Sequence, residues 1–295
     1  MSVRQQVSGR VLVVTMDNAS VRNALDAETM ARLRDLFENI AYREPLPPEA
    51  PATGSAEVGP GGTHRPHVIV LRAAGPVFCA GAHLGEMKSL GAADYRTNQA
   101  AALEMGAMFR AVHNCPVPVV ARVQGPCYGG GGGLVAACDL VVASPAAVFA
   151  FTEVRLGIVP GVIAPVVIER VGPAAARAAF LTGEPIDAQA ARAMGLVDHL
   201  AVDEESLDTE TARVVEALLA GGAAALGRVK DLVDSVQSLG FARSAEQAAR
   251  MIAEARTGPE GQAALASFAI REKAPWYSDD KWIAPAWPDA AKETP

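Results

Sequence analysis

Five consecutive glycines, Gly129 to Gly133, are the first feature of this sequence that could do chemistry. They follow a strand-like run and precede an apolar segment. Glycine lets backbone approach a ligand closely, and a helix starting there aims unpaired N–H groups and a positive dipole at it. Three chemistries use such a loop. A phosphate cradle of the Walker type needs Gly-Lys-Ser/Thr, which the chain lacks. A dinucleotide fingerprint can be laid on Gly131, Gly133 and Ala136, although any run of glycines contains that pattern. Its helix would be too short, because Leu140–Ala143 read as the next strand. Its ribose-binding acid is also missing: Glu153 comes ten residues after Ala143. The third use is an oxyanion hole, with backbone N–H groups placed where a carbonyl oxygen gains negative charge. An acyl hydrolase would add a nucleophile, yet there is no G-x-S-x-G and no Cys with an evident His partner. What remains is enolate chemistry, which needs an oxyanion hole and a base but no covalent nucleophile.

The elements that must position this loop follow from periodicity. VLVVTM (11–16), HVIVLRA (67–73) and VPVVARVQG (117–125) are buried-strand patterns, and GLVDHLAV (195–202) reads as a late strand. Asp26 stands where an N-cap would, ahead of Met30, Leu33, Phe37 and Ile40 at helical spacing. A second helix is expected over about 93–113, and residues 203–272 carry no strand signal and read as helical. Residues 44–66, rich in Pro, Gly and Ala, read as a flexible surface insertion, and 277–295 as a mobile Pro-rich tail. Strands alternating with helices imply an α/β fold with a parallel sheet. The expected organisation is an α/β core over 1–202 and a helical region over 203–295.

Composition excludes other classes. Half of the 295 residues are apolar, ample for a core, and the net charge is −7 with no Lys/Arg block, so no nucleic-acid partner is expected. No apolar run approaches the roughly 20 residues of a membrane span, and Val11–Val14 is too short for a secretory signal, so a cytoplasmic location is expected. Cys79, Cys115, Cys127 and Cys138 lack metal or disulfide spacing and read as small buried hydrophobes kept reduced.

Several blocks, in order, resemble the crotonase (enoyl-CoA hydratase/isomerase) superfamily. Arg22-Asn23-Ala24-Leu25 resembles its early CoA-contacting turn, and FCAGAHLGEM (78–87) its first oxyanion segment. GPCYGGGGGLVAACDLVVAS (125–144) resembles the second, FTEVRLGIVPG (151–161) the catalytic-glutamate segment and FLTGEPIDAQAARAMGLVDHL (180–200) the block after it. FAIREKAPW (268–276) resembles the family's C-terminal FxEKRxPxW. The resemblance implies a spiral of ββα units with a C-terminal helical trimerisation region, a homotrimer or dimer of trimers, and an acyl-CoA thioester substrate. Coenzyme A enters as part of that substrate, with no separate cofactor or metal. Ala82 and Gly130 fall on the two oxyanion positions and Glu153 on the second catalytic glutamate. The same comparison places Arg22, Ala24, Ala80, His83, Leu84, Tyr128 and Gly133 along the CoA and acyl path.

The chain departs from the family pattern at several informative places, the longer insertion at 44–66 among them. The first hydratase glutamate, twenty residues before Glu153, is Gly133, and the Asp expected after Ala82 is His83. With GVIAPVVIERVG in place of the common GGTQRL, the motifs look most like the methylglutaconyl-/isohexenylglutaconyl-CoA hydratase branch. The resemblance therefore implies hydration of a 2-enoyl-CoA, branched or carboxylated, by a single Glu153. Arg155 and Lys88 are the candidate cations for a substrate carboxylate. The competing readings are a 3-enoyl to 2-enoyl-CoA isomerase, for which one carboxylate suffices, and a non-catalytic acyl-CoA-binding homologue.

Overall fold

The computed structural model of the protein describes residues 2–44 and 64–285. Most of the expected insertion, residues 45–63, lies outside the described residues. Its two ends meet where the Arg65 N–H donates to the Glu44 carbonyl at 2.8 Å.

The chain opens with an antiparallel pair, β1 (Val3–Ser8) and β2 (Val11–Met16). Helix α1 (Ala27–Ala41) crosses to β3 (Val68–Ala73), which pairs parallel with β2. Asp26 caps α1 as expected, its carboxylate accepting from the Thr29 N–H at 2.8 Å. Helices α2 (Leu84–Gly91) and α3 (Tyr95–His113) then lead to β4 (Val119–Val123), parallel to β3. The short β5 (Cys127–Tyr128) runs into α4 (Gly130–Ala136), and β6 (Leu140–Ala143) returns beside β4. After β7 (Val148–Ala150) come α5 (Ala164–Thr182), β8 (Ile186–Asp187), α6 (Ala188–Ala193) and β9 (His199–Leu200). Four helices close the described chain: α7 (Leu207–Leu219), α8 (Ala223–Leu239), α9 (Phe241–Thr257) and α10 (Pro259–Ala269). Of the expected late strand over 195–202, only two residues pair.

The main sheet has the order β1-β2-β3-β4-β6-β9, and β5-β7-β8 form a second, smaller one. Alternate residues of the central strands enter two cores, the pattern of a sheet covered on both faces. Leu12, Val14, Ile69 and Leu71 pack with Leu33, Phe37, Phe109 and Val112 of α1 and α3. Val11, Val13, Val68 and Val70 pack on the other face with Leu207, Val214 and Val215 of α7 and with Trp282. Helix α7 packs on the sheet through this second core, and α8 meets the body where Gly227 lies against the Pro116 carbonyl and Lys230 pairs with Asp139 at 2.7 Å.

The expectation of a mobile tail from residue 277 is corrected as far as residue 285. Trp282 is buried in the second core, Arg10 donates to the Trp276 carbonyl at 2.8 Å and Arg72 to that of Pro285 at 3.1 Å. Two buried arginines, Arg10 in the β1–β2 turn and Arg72 on β3, supply donors that a proline-rich segment, poor in its own backbone pairing, can accept from. The four cysteines are free and buried, and loss of solvent pushes the thiols of Cys79 and Cys138 up to about 12 and that of Cys115 to about 11. Among the described residues, no helix is long and apolar enough to cross a membrane.

Candidate active site

The loops that leave adjacent parallel strands β3 and β4 meet at their carboxyl ends, where open α/β sheets bind ligands. The first, residues 74–83, is zipped to the turn over 22–25. Ala80 N–H donates to Arg22 O at 3.0 Å, Leu25 N–H to Gly81 O at 2.8 Å and His83 N–H to Leu25 O at 3.0 Å. That alternation turns the N–H of Ala82 away from Leu25, and it meets no acceptor among the described residues. Asn23 locks the assembly. Its φ of 53° is left-handed, a region Asn tolerates, and its side-chain amide donates to Ala74 O and Val77 O, both at 2.8 Å.

In the second loop Tyr128 N–H donates to Cys79 O and Gly129 N–H to Ala150 O, each at 2.9 Å. Gly130 then begins α4, so its N–H is one of the unpaired donors of a first helical turn. Gly81, at φ 89°, sits against this loop: a Cβ there would lie 2.9 Å from Tyr128 O and 3.8 Å from Gly130 N. Only glycine allows both that backbone angle and that approach. The unpaired N–H groups of Ala82 and Gly130 therefore lie on touching segments, an arrangement able to polarise a carbonyl oxygen.

The remaining glycines of the run are packing surfaces. A Cβ on Gly131 would lie 2.7 Å from Cys79 Cβ, on Gly132 2.6 Å from Phe151 Cε1 and on Gly133 2.5 Å from Ile163 Cγ2. α4 is thus wedged among Cys79, Phe151 and Ile163, with Cys79 also accepting the Gly81 N–H on sulfur at 3.4 Å. A seven-residue helix boxed in this way has the form of neither a hinge nor a dinucleotide-binding helix.

Glu153 opens a short 3-10 turn, Glu153–Leu156, after β7, and β7 pairs with β5 of the second loop. Strand pairing thus carries the carboxyl to the glycine turn, where its Oε1 would be 3.1 Å from a Cβ on Gly129. Its Oε2 is buried with no hydrogen-bond partner among the described residues. Burial raises the Glu153 pKa above the ordinary carboxylate value, partly offset by a backbone hydrogen bond that lowers it. Among the described residues Glu153 forms no ion pair, and Arg155 donates instead to Thr182 O at 3.5 Å. A carboxyl without an ion-pair partner among the described residues, half-buried against the glycine turn, is suited to taking up and returning a proton.

Of the other residues expected in the site, Arg22, Ala80, His83 and Leu84 are brought together by the 22–25/80–83 zipper, with Arg22 and Leu84 exposed. Tyr128 is 37% exposed beside the glycine turn. Ala24 is buried behind that zipper, and Gly133 is enclosed by Ile163 and Phe109. Asn23, Gly81, Cys79 and Ile163 hold the site and were not singled out from the sequence. The one available signal was the Asn at the second place of RNAL, a residue type suited to a left-handed turn. Beside Ala82, a cavity of about 360 Å³ opens between α1, α2 and α3.

The chain is similar in sequence and fold to known proteins of one family. Residues 63–279 match the model of the enoyl-CoA hydratase/isomerase family. The chain is 31% identical over 237 residues to a relative from Thermus thermophilus, covering 80% of this chain and 85% of the other. It is 32% identical over 212 residues to enoyl-CoA hydratase ACTT6 of Alternaria alternata, covering 71% and 68%. A crystal structure of an enoyl-CoA hydratase/isomerase from Marinobacter aquaeolei superposes with a TM-score of 0.82 at 29% identity, covering 93% of this chain and 98% of that one. With its α/β crotonase fold and C-terminal helices, the chain belongs to the enoyl-CoA hydratase/isomerase family.

Proposed function

We propose that the protein adds water across the double bond of a 2-enoyl-CoA, with Glu153 as its single general acid–base. The observation that carries this reading is the half-buried Glu153 carboxyl, its Oε2 without a partner, set against the Gly129 turn next to the free Gly130 N–H, with the free Ala82 N–H on the touching loop. In it, the two N–H groups hold the thioester oxygen and draw electron density from C3. Glu153 takes a proton from water as the oxygen attacks C3, and the charge moves onto the thioester oxygen as an enolate. The protonated carboxyl then delivers that proton to C2 and the enolate collapses to the 3-hydroxyacyl-CoA. Each oxyanion donor is worth about 10²–10³ in rate and the base about 10²–10⁴. The strip of Arg22, Ala80, His83 and Leu84, with Arg22 and Leu84 exposed, is assigned to the CoA moiety, Arg22 being suited to its phosphates.

A second reading, isomerisation of a 3-enoyl-CoA, draws on one observation: Ile163 fills the place of the first hydratase carboxylate at Gly133. One carboxylate can carry a proton from C2 to C4. Incubation with 2-enoyl- and 3-enoyl-CoAs, 3-methylglutaconyl-CoA among them, and mass spectrometry of the products separates the two. Gain of one water on a 2-enoyl substrate supports hydration. Movement of the double bond without water uptake supports isomerisation, and binding without turnover of any substrate would leave a non-catalytic homologue.

We also infer a homo-oligomer, a trimer or dimer of trimers as the resemblance implies. Phe241, Phe268 and Ile270 on and after the C-terminal helices are 94%, 79% and 67% exposed, which suits a surface that is covered by further copies. The buried free cysteines suit a reducing, cytoplasmic setting.

A further inference from the structure

Away from the glycine turn, three helices bring a histidine and two carboxylates to one point. His113 ends α3, Glu169 lies in α5 and Asp234 in α8. His113 Nε2 is 3.8 Å from Glu169 Oε2 and 3.9 Å from Asp234 Oδ2. One ligand atom of each residue lies within 4.8 Å of those of the other two. The gaps to His113 exceed the about 2.7–3.2 Å of a hydrogen bond, so the groups converge without bonding one another. Two carboxylates this close repel, and among the described residues neither pairs with a lysine or arginine. The cations beside them on the same helices are engaged elsewhere, Arg170 by Asp198 and Lys230 by Asp139. Gly227 and Lys230 lie one and two turns before Asp234 and meet the body, so Asp234 shares the anchored face of α8. His113 precedes β4, which sets the cluster at the amino end of that strand, whereas the loop to Gly130 leaves its carboxyl end.

We propose that His113, Glu169 and Asp234 bind a divalent transition-metal ion of the zinc class, which clamps α8 to α3 and α5. The site is separate from Glu153 and does not rest on the proposed reaction. Two carboxylates balance the charge of the ion, and a neutral imidazole adds a nitrogen donor. Zinc takes such ligands at about 2.0–2.2 Å, which sets neighbouring ligand atoms about 3.4 Å apart in a tetrahedron. The gaps of 3.8 and 3.9 Å need to close by only about 0.5 Å, within the reach of side chains at the surface. Glu169 is exposed and His113 and Asp234 are half-buried, so water completes the shell. Calcium and magnesium fit poorly, because they take about six or more ligands, nearly all oxygen. The three ligands meet only when α8 is docked, so the ion stabilises the folded arrangement.

Calorimetric titration of zinc chloride into the untagged full chain, freed of metal by a chelator, tests this without any turnover. One zinc per chain is expected, with magnesium and calcium at least about a hundredfold weaker. His113→Gln, Glu169→Gln and Asp234→Asn should each weaken zinc binding at least about tenfold, the loss that even an outer-shell partner brings. His199→Gln, which changes a histidine outside the cluster, should leave it unchanged. Zinc should also raise the urea midpoint of the native sequence, and raise that of the three ligand variants far less. Their metal-free midpoints should stay near the native one, which separates loss of a ligand from loss of the fold. No stoichiometric uptake, uptake undiminished in His113→Gln, or uptake without a rise in the midpoint would overturn the proposal and leave a histidine–carboxylate ion pair only.

Discussion

Ile163 occupies the space that a side chain at Gly133 would need: a Cβ there would lie 2.5 Å from Ile163 Cγ2 and 3.2 Å from Phe109 Cζ. The absent first carboxylate therefore leaves no void. An aliphatic side chain from the residue before α5 closes the position, and the two residues form one packing unit.

This pairing predicts non-additive energetics. Gly133→Ala should destabilise by about 1–3 kcal/mol through overpacking, and Ile163→Ala by about 2–5 kcal/mol through a cavity. The double variant should lose less than the sum by at least about 1 kcal/mol. Urea unfolding of the four proteins checks this, and simple additivity would refute the coupling.

Gly81 is the point where the loops carrying the Ala82 and Gly130 N–H groups touch. Gly81→Ala places a methyl 2.9 Å from Tyr128 O at a φ of 89°, so the loops must separate or twist. A loss of about 10²–10³ in kcat is expected, the cost of misplacing one oxyanion donor. Steady-state kinetics beside a thermal melt would show the rate falling far more than the stability.

Glu153 makes a pH prediction whose sign follows from burial. Its pKa is raised in the folded protein, so the base is lost to protonation at a higher pH than an ordinary glutamate would show. The acid limb of kcat/KM should accordingly lie above the usual carboxylate range. Glu153→Gln should lower kcat by about 10²–10⁴ while acyl-CoA affinity changes little. A fully active Gln variant would remove Glu153 from the mechanism.

His67 controls stability rather than catalysis. It is buried, its Nδ1 faces Arg10 at 3.3 Å and its Nε2 the Gly221 carbonyl at 2.8 Å. Desolvation first, and the Arg10 charge second, lower its pKa from 6.5 to about 4. The unfolded chain therefore binds a proton between about pH 6.5 and 4 that the folded chain refuses. Stability is fully present above that window and falls as pH drops through it, by up to about 3 kcal/mol. In His67→Gln the slope of unfolding free energy against pH should flatten across that window, whatever the variant's stability at pH 7.

Local signals were legible where one short segment carries them. The strands at 11–16 and 68–73, the Asp26 cap and the helix ending at His113 emerged from apolar runs and capping chemistry, because burial on both sheet faces leaves unbroken β-branched stretches. The two-residue strands β5, β8 and β9 were not legible, since segments that short have no period. The tail read as mobile from its prolines, yet Arg72 holds the Pro285 carbonyl and Arg10 that of Trp276 just before the tail, each from more than 200 residues away.

The site divides in the same way. Residue types and order by themselves determined the α/β class and pointed to a glycine-loop site with one motif carboxyl, because glycine runs, turn residues and strand patterns are properties of neighbours in the chain. Tertiary structure decided the rest. It turned the N–H of Ala82 away from its partner strand, set it beside Gly130 and buried Glu153 without a cation. It also seated Ile163 against Gly133 and left an apolar cavity next to Ala82. Such facts depend on which distant segments touch, and contact across long sequence separation arises only when the whole core packs.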